Sequence, residues 1–155
     1  MSMLARYKKP GGFQQLFLLL ESCQGKKQET LLHHVEAENA QWAEIIRAKL
    51  LNKERFLALP AECISEIITR MPEKVLIFAF QGVPVEKREG LLSVFPHIKK
   101  KNILESANGG TAKAEEIEAA FLQIFKKIRD LENDKTLNLS KYAPEFALDE
   151  EKKVA

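Results

Sequence analysis

The sequence predicts an all-α protein, in which a stack of short helices ends in one long C-terminal helix. Apolar residues recur at the spacing of a helix face, and no segment keeps the strict alternation of a half-buried strand. In the middle of the chain prolines recur every twelve residues, as Pro60, Pro72, Pro84 and Pro96. Because stacked pairs of short helices build superhelices, we expect an armadillo-like, right-handed superhelical stack.

The N-terminal third is predicted to hold an arm and three helices. Residues 1–12 are expected to form a flexible arm, because the Pro-Gly-Gly run at positions 10–12 cannot continue a helix. The first helix begins at Phe13 and ends by Gly25, and the third follows Asn39, a typical N-cap residue. The residues expected to face inward are Leu16, Leu19, Leu20, Cys23, Leu31, Leu32, Val35, Trp42, Ile45, Ile46 and Leu50.

The proline-rich middle is predicted to be a run of short helices. Proline is tolerated in the first turn of a helix and disfavoured inside it, so each helix should begin near a proline. The intervals carry small apolar sets, such as Ile64, Ile67 and Ile68. One more short helix follows Pro96, and residues 107–111, with two adjacent glycines, are typical of a loop.

The clearest helix signal covers residues 113–134. One face of this segment carries Ile117, Ala120, Phe121, Ile124, Ile128 and Leu131. Acidic residues lie near its start and basic residues nearer its end, an order that complements the helix dipole. Leu137 and Leu139 are expected in a short extended piece.

The length of 155 residues is that of one domain with tails. We expect a helical domain at 13–140, divided into an armadillo-like part at 13–58 and a helical bundle at 59–140. The alternating charges of residues 141–155 predict a disordered charged tail.

Composition argues against several classes of function. There are 24 Lys and Arg against 22 Asp and Glu, and a net charge of +2 gives no reason to expect a nucleic-acid partner. The longest apolar run, at 75–80, has six residues, whereas a membrane span needs roughly 20. No signal-peptide core follows the basic N-terminus, so a cytoplasmic location is expected.

The chain contains none of the common catalytic or nucleotide-binding motifs. Cys23 and Cys63 lie 40 residues apart without a CxxC pair, so both are expected to be reduced core residues. His33 and His34 lie near Glu29, but adjacent histidines point about 100° apart on a helix and cannot easily share a metal ion. We therefore expect no enzymatic activity, no metal site and no cofactor.

The order of landmarks resembles the C-terminal domain of FliG, the flagellar motor switch protein, over most of the chain. The glycine pair at 11–12 precedes a hydrophobic helix, as the family's Gly-Gly hinge does, and residues 43–47 match its "AExIR" text. Residues 77–82 are similar to the family's "ALALKG", and residues 129–132 to its "RRLEE". The resemblance implies an all-α domain with an armadillo-like piece and a helical bundle.

The function implied by this resemblance is that of a non-enzymatic flagellar rotor component. Such a component acts through electrostatic protein–protein contacts, in stator contact, torque or rotation switching. Its implied partners are a MotA-like stator protein and FliM-like or FliG-like rotor proteins, with copies arranged in a ring. The implied location is the cytoplasmic side of the basal body, peripheral to the membrane. The charged residues expected to carry the contact are Arg88, Glu89, Lys99, Glu105 and Lys113.

The chain departs from the family pattern at some of these positions. Gln81 stands where the family has a lysine, and Ile98 stands where it has an arginine. Residues 50–55 replace its aromatic hinge motif. A second hypothesis therefore stays open, a standalone helical adaptor that kept the fold and lost the motor role. Its helical partner would bind an exposed apolar patch or hinge, for which the candidates are Leu50, Leu51 and Phe56.

Overall fold

The computed structural model describes residues 3–23 and 25–148, and every regular element in these ranges is a helix. The α-helices are α1 (Gly12–Glu21), α2 (Gly25–Glu38), α3 (Ala40–Lys49), α4 (Lys53–Leu57), α5 (Ala61–Ile68), α6 (Glu73–Phe80), α7 (Val85–Leu92), α8 (His97–Asn108), α9 (Ala114–Asn133) and α10 (Leu139–Tyr142). Short 3-10 helices lie at Met3–Tyr7 and Pro144–Phe146. The all-α prediction is confirmed, and the armadillo-like arrangement fits these helices but stays a prediction.

The described residues form two compact units. The first contains residues 3–23, 25–51 and 132–148, and the second contains residues 52–131. The sequence predicted a division after residue 58, and the structure places it after Leu51. No helix in the described ranges combines the length and apolar character that crossing a bilayer requires.

The four regularly spaced prolines are the N-caps of α5, α6, α7 and α8. Each has extended backbone angles, with φ between −52° and −61°, and its carbonyl accepts a hydrogen bond from the following helix. A proline fits this position because its missing N–H group is not needed before the first helical turn. The prediction of short helices begun by prolines is confirmed.

The core of the first unit is formed largely by α1, α2 and α3. Phe13, Leu16, Phe17 and Leu20 are buried at i, i+3, i+4 and i+7 of α1. The expectation that Leu19 faces inward is wrong, because this spacing leaves it on the opposite side, 45% exposed.

The boundaries of the first helices also differ in part from expectation. Gly25 begins α2, with φ +58°, rather than ending α1. The Asn39 side chain caps α3 as predicted, accepting a hydrogen bond from the Trp42 N–H at 3.1 Å. The Trp42 ring packs edge-on against Phe13, with centroids 5.2 Å apart.

Both terminal stretches contain packed segments where the structure describes them. Leu4 is buried in the first unit, and a Cβ atom at Gly12 would overlap the backbone of Tyr7. Near the other end, Leu139 begins a helix instead of an extended piece, and Leu148 is buried. Residues 149–155 of the expected disordered tail lie outside the described residues.

Buried charged side chains hold the backbone of the first unit at three points. The Lys49 amine donates to the Ala147 carbonyl at 2.9 Å, and the Leu148 N–H donates to the Glu132 carboxylate at 2.8 Å. The Leu51 N–H donates to the buried Glu21 carboxylate at 3.0 Å. Each bond satisfies a buried polar group that water cannot reach.

Three phenylalanine rings pack against one another in the core of the second unit. Phe56 of α4 lies 6.1 Å from Phe121 and 6.5 Å from Phe125, both on α9, measured between ring centroids. The apolar stripe predicted for α9 is confirmed, with Ile117 half-buried and Ala120, Phe121, Ile124, Ile128 and Leu131 buried.

Candidate functional site

The five charged residues expected to contact a partner all lie in the second unit. Arg88 and Glu89 are on α7, Lys99 and Glu105 are on α8, and Lys113 directly precedes α9. Glu89, Glu105 and Lys113 are exposed, and Lys99 is half-buried. Arg88 differs from the other four because it is only 8% exposed.

The Arg88 guanidinium lies in a hydrogen-bonded frame inside the second unit. Its Nε donates to the Val83 carbonyl at 2.9 Å, and its Nη2 donates to the Gln81 carbonyl at 3.3 Å. Its Nη1 donates to the Asn108 side-chain oxygen at 2.9 Å. The planar fork of an arginine suits several acceptors at once, so Arg88 joins the turn after α6 to the end of α8. Its guanidinium donors are therefore used inside the fold, while contact of Arg88 with a partner stays a prediction.

Gln81 has a similar structural position. Its side-chain oxygen accepts from the Ala112 N–H at 2.8 Å, and its side-chain nitrogen donates to the Ile77 carbonyl at 3.2 Å. A Cβ atom at Gly110 would overlap this carboxamide, so the glycine allows the loop to approach it. Gln81 therefore fixes the loop between α8 and α9, and little of the hydrogen-bonding capacity of its side chain remains for contact with a partner.

The three consecutive lysines of α8 have different surroundings. The Lys99 amine lies 4.6 Å from the centroid of the Phe95 ring, a cation–π distance. The Lys100 amine donates to the Ser93 hydroxyl at 3.1 Å and lies 3.6 Å from a carboxylate oxygen of Glu89. Lys101 is exposed, and its side chain makes no hydrogen bond or ion pair with the part of the chain that the structure describes.

The apolar candidates for a patch or hinge are buried. Leu50 belongs to the core of the first unit, and the rings described above surround Phe56 in the second. Leu51 is also buried. The expectation that these residues form an exposed patch is wrong, because each fills a core position. Leu50 and Leu51 directly precede the division between the units, where a hinge stays a prediction.

Sequence reasoning missed an open groove in the second unit. Its volume is about 580 Å³, and it is lined by Lys53, Glu54, Leu57, Ala58, Gln81, Gly82, Val83, Pro84 and Lys87. The lining contains no histidine, cysteine or serine, so it does not assemble a nucleophile with a base. No sequence signal marks this groove, because its two walls come from segments about 25 residues apart.

Sequence reasoning also missed an exposed apolar position on α8. Ile98 is 75% exposed, and Val94, four residues earlier, is 42% exposed. Phe95, between them, is buried. Val94 lies in the turn between α7 and α8, whereas Ile98 lies in the first turn of α8, so no helical periodicity relates the two positions in the sequence.

The histidine and cysteine candidates show no arrangement for chemistry. The His33 Nε2 lies 3.4 Å from a Glu29 carboxylate oxygen on the exposed face of α2. Within residues 3–23 and 25–148, no three His, Cys, Asp or Glu side chains are grouped so as to hold a metal ion. Cys23 and Cys63 are both free and buried. Burial, with a smaller contribution from Glu66, raises the pKa of Cys63 to about 11, so its thiol stays protonated at neutral pH.

The fold and site together define an all-helical domain with charged side chains exposed on short helices. The sequence model of the family described as the FliG C-terminal domain matches residues 33–139, more than two thirds of the chain. The chain belongs to this family, which confirms the resemblance noted from the sequence.

One solved structure supports the same relationship. The chain is similar to full-length FliG from Aquifex aeolicus, with 27% sequence identity and a TM-score of 0.50. The similarity covers 81% of this chain and 39% of that one, so the chain spans well under half the length of the Aquifex protein. No curated protein matches the chain.

Proposed function

We propose that this chain is a non-enzymatic protein-contact domain of the flagellar motor switch, acting on the cytoplasmic side of the basal body. The observation that carries the proposal is the family match over residues 33–139. The exposure of Glu89, Glu105 and Lys113 on one unit supports it, since a contact domain needs charges that a partner can reach.

The partner we propose is a MotA-like stator protein, which would meet the charges of α8 and of the segment before α9. Glu105 and Lys113 contribute opposite charges, and Lys99 adds a second positive one. Complementary charges steer two surfaces together and fix their register, while adding modest affinity. Such a contact can form and break repeatedly, as torque generation requires. FliM-like and FliG-like rotor proteins, with copies in a ring, complete the proposed set of partners.

Arg88 and Gln81 have a positioning role in this proposal. Together they join the turn after α6, the end of α8 and the loop before α9. Such a frame keeps Glu105 and Lys113 at a fixed spacing, which a force-bearing contact needs. A flexible loop at this place would instead let the charges move under load.

Reversal of two of the proposed contact charges tests the proposal. Lys99→Glu and Glu105→Lys, introduced together in the native cells, should strongly reduce swimming while leaving the thermal unfolding of the purified chain nearly unchanged. A matched control is Lys26→Glu with Glu44→Lys, which reverses two exposed charges of the first unit. Normal swimming in the double variant of α8 contradicts stator contact through these residues.

A standalone adaptor is the second candidate, and the hydrogen bonds of the Gln81 side chain to the loop before α9 and to α6 favour it. This position holds a lysine in the family pattern, and here its side chain is turned to internal bonds. Pull-down with purified rotor and stator proteins separates the two functions. Binding of neither, together with normal swimming when the gene is deleted, favours the adaptor.

A further inference from the structure

We infer that residues 143–148 form a strap that locks the two points at which the chain crosses between its units. The chain leaves the first unit after Leu51 and returns to it at Glu132, and the strap is bonded beside both points. The strap lies outside residues 33–139, the range of the family match, so only the contacts of this chain bear on its role. The inference goes beyond the proposed function and does not depend on it, because it concerns motion within the chain.

The strap holds the exit from the first unit through two neighbouring residues. The Lys49 amine donates to the Ala147 carbonyl at 2.9 Å and to the Glu145 carbonyl at 3.5 Å. Leu50 and Leu148 belong to one hydrophobic core cluster of the first unit. Because a buried ammonium group needs acceptors that water cannot reach to replace, the lysine and the strap carbonyls stabilise each other.

The last residue before the exit is held from inside the first unit. The Leu51 N–H donates to the buried Glu21 carboxylate at 3.0 Å. Leu20, directly before Glu21, belongs to the same core cluster as Leu50 and Leu148. The residues that lead to the crossing are therefore fixed to one interior, and the strap contributes part of that interior.

The strap holds the return point as well. The Leu148 N–H donates to the Glu132 carboxylate at 2.8 Å, and the Glu132 side chain is buried. Lys49 and Glu132 lie beside different crossing points, yet they bind neighbouring residues of the strap, Ala147 and Leu148. One short segment therefore ties the exit of the chain to its return.

The strap has little structure that is stable by itself. Its regular part is the 3-10 turn Pro144–Phe146, in which the Ala147 N–H donates to the Pro144 carbonyl at 3.3 Å. A single turn is not stable alone in water, so the strap keeps its place through its contacts with the first unit. Segments of this kind open locally before the rest of a domain unfolds. Its release removes contacts from both crossing points at once and frees the hinge predicted between the units.

Hydrogen exchange of the folded, full-length chain, labelled with ¹⁵N, tests the lock. The readout is the Leu51 amide, because its hydrogen bond to Glu21 involves no residue of the strap. Leu148→Ser removes the core side chain of the strap, and Lys49→Met removes the donor to its carbonyls. Both variants should quicken exchange at Leu51 about tenfold or more relative to the amides of α1.

Two matched variants separate the lock from a general loss of stability. Leu32→Ser makes the same change in the same core cluster, but on α2, and should quicken exchange of Leu51 and of α1 alike. Glu145→Gln changes an exposed side chain of the strap and keeps its carbonyl, so exchange at Leu51 should match the wild type.

Spin labels placed one in each unit measure the motion that the lock restrains. Ala37 on α2 and Asn102 on α8 are both exposed and suit labelling through introduced cysteines, with Cys23 and Cys63 replaced by alanine. The distribution of distances between the labels should be wider in Leu148→Ser than in the otherwise unchanged chain or in Glu145→Gln.

The outcomes decide the inference separately from the proposed function. Exchange at Leu51 that stays at the wild-type rate, or quickens no more than exchange in α1, overturns it, because the strap then only stabilises the first unit. Distance distributions of equal width in Leu148→Ser and Glu145→Gln also overturn it. Swimming after reversal of Lys99 and Glu105 tests the motor contact alone, and neither result there alters the exchange at Leu51.

Discussion

Replacement of Arg88 by alanine should destabilise the second unit, although the sequence indicated a surface contact for this residue. The change removes three hydrogen bonds, of 2.9, 2.9 and 3.3 Å, from a charged and nearly buried donor. Such bonds contribute about 1.5–3 kcal/mol each, but they are not additive, and removal of a buried charge returns part of its desolvation cost. We expect a net loss of about 2–4 kcal/mol in the free energy of unfolding.

Urea unfolding followed by far-UV circular dichroism measures this loss. Two further variants serve as comparisons for its size. Arg88→Lys keeps the charge but cannot reach three acceptors with a planar fork, so about half of the loss should remain. Glu89→Ala removes an exposed neighbour whose ion pair with Lys100 is 3.6 Å long, and should cost less than about 1 kcal/mol. Hydrogen exchange of residues 109–112 should quicken in Arg88→Ala.

The reasoning is refuted if Arg88→Ala unfolds at the wild-type urea concentration. Impaired swimming by that same stable variant would instead assign Arg88 to partner contact, as the sequence suggested.

Four further changes should alter stability in directions that the structure fixes. Gly90→Ala should stabilise the chain by about 0.5–1 kcal/mol in urea unfolding, because a Cβ atom there meets open space on α7. Gly12→Ala should destabilise it by about 2 kcal/mol or more, because its methyl group overlaps the backbone of the first 3-10 helix. Lys49→Met should cost about 1–3 kcal/mol and quicken hydrogen exchange at residues 144–148, since it leaves a buried carbonyl unsatisfied. Burial raises the pKa of Cys63 from 9.0 to about 11. As the pH rises, the Cys63 thiol therefore deprotonates in the unfolded chain at a lower pH than in the folded chain. The contribution of this thiol to the free energy of unfolding is present below pH 9, and about 2–3 kcal/mol of it is lost between pH 9 and 11. Urea unfolding of the wild type and of Cys63→Ala across this pH range measures the loss. The explanation of either glycine variant would be contradicted by wild-type stability of that variant, and that of Lys49→Met by unchanged hydrogen exchange. The explanation for Cys63 would be contradicted if the unfolding free energies of wild type and Cys63→Ala changed in parallel with pH.

Much of the fold could be predicted because its signals are local. A proline restricts its own backbone and lacks a donor, so the starts of α5 to α8 were readable without knowledge of the packing. The stripe of α9 was readable because it repeats over many turns. The face of α1 was partly misjudged, because Leu18, Leu19 and Leu20 are consecutive and periodicity cannot rank them.

The candidate site was harder to predict because it depends on contacts between distant segments. The acceptors of Arg88 lie at residues 81, 83 and 108, and the last is brought near only by the packing of α8. Leucine and phenylalanine occur both in binding patches and in cores, so only the burial observed in the structure shows which role Leu50 and Phe56 have. Lys99, Lys100 and Lys101 look equivalent in the sequence. In the structure Lys99 lies over an aromatic ring, Lys100 donates a hydrogen bond to a hydroxyl, and Lys101 is exposed to solvent.

The most direct test of the proposed contact is the affinity of the purified chain for the cytoplasmic segment of the MotA-like stator protein from the same cells. Titration calorimetry at low and high salt should show binding that weakens with salt and falls several-fold in Glu105→Lys. Reversal of the matching charge in the stator segment should restore the affinity of that variant. Equal affinity of wild type and Glu105→Lys at both salt concentrations would contradict a contact made through the charges of α8.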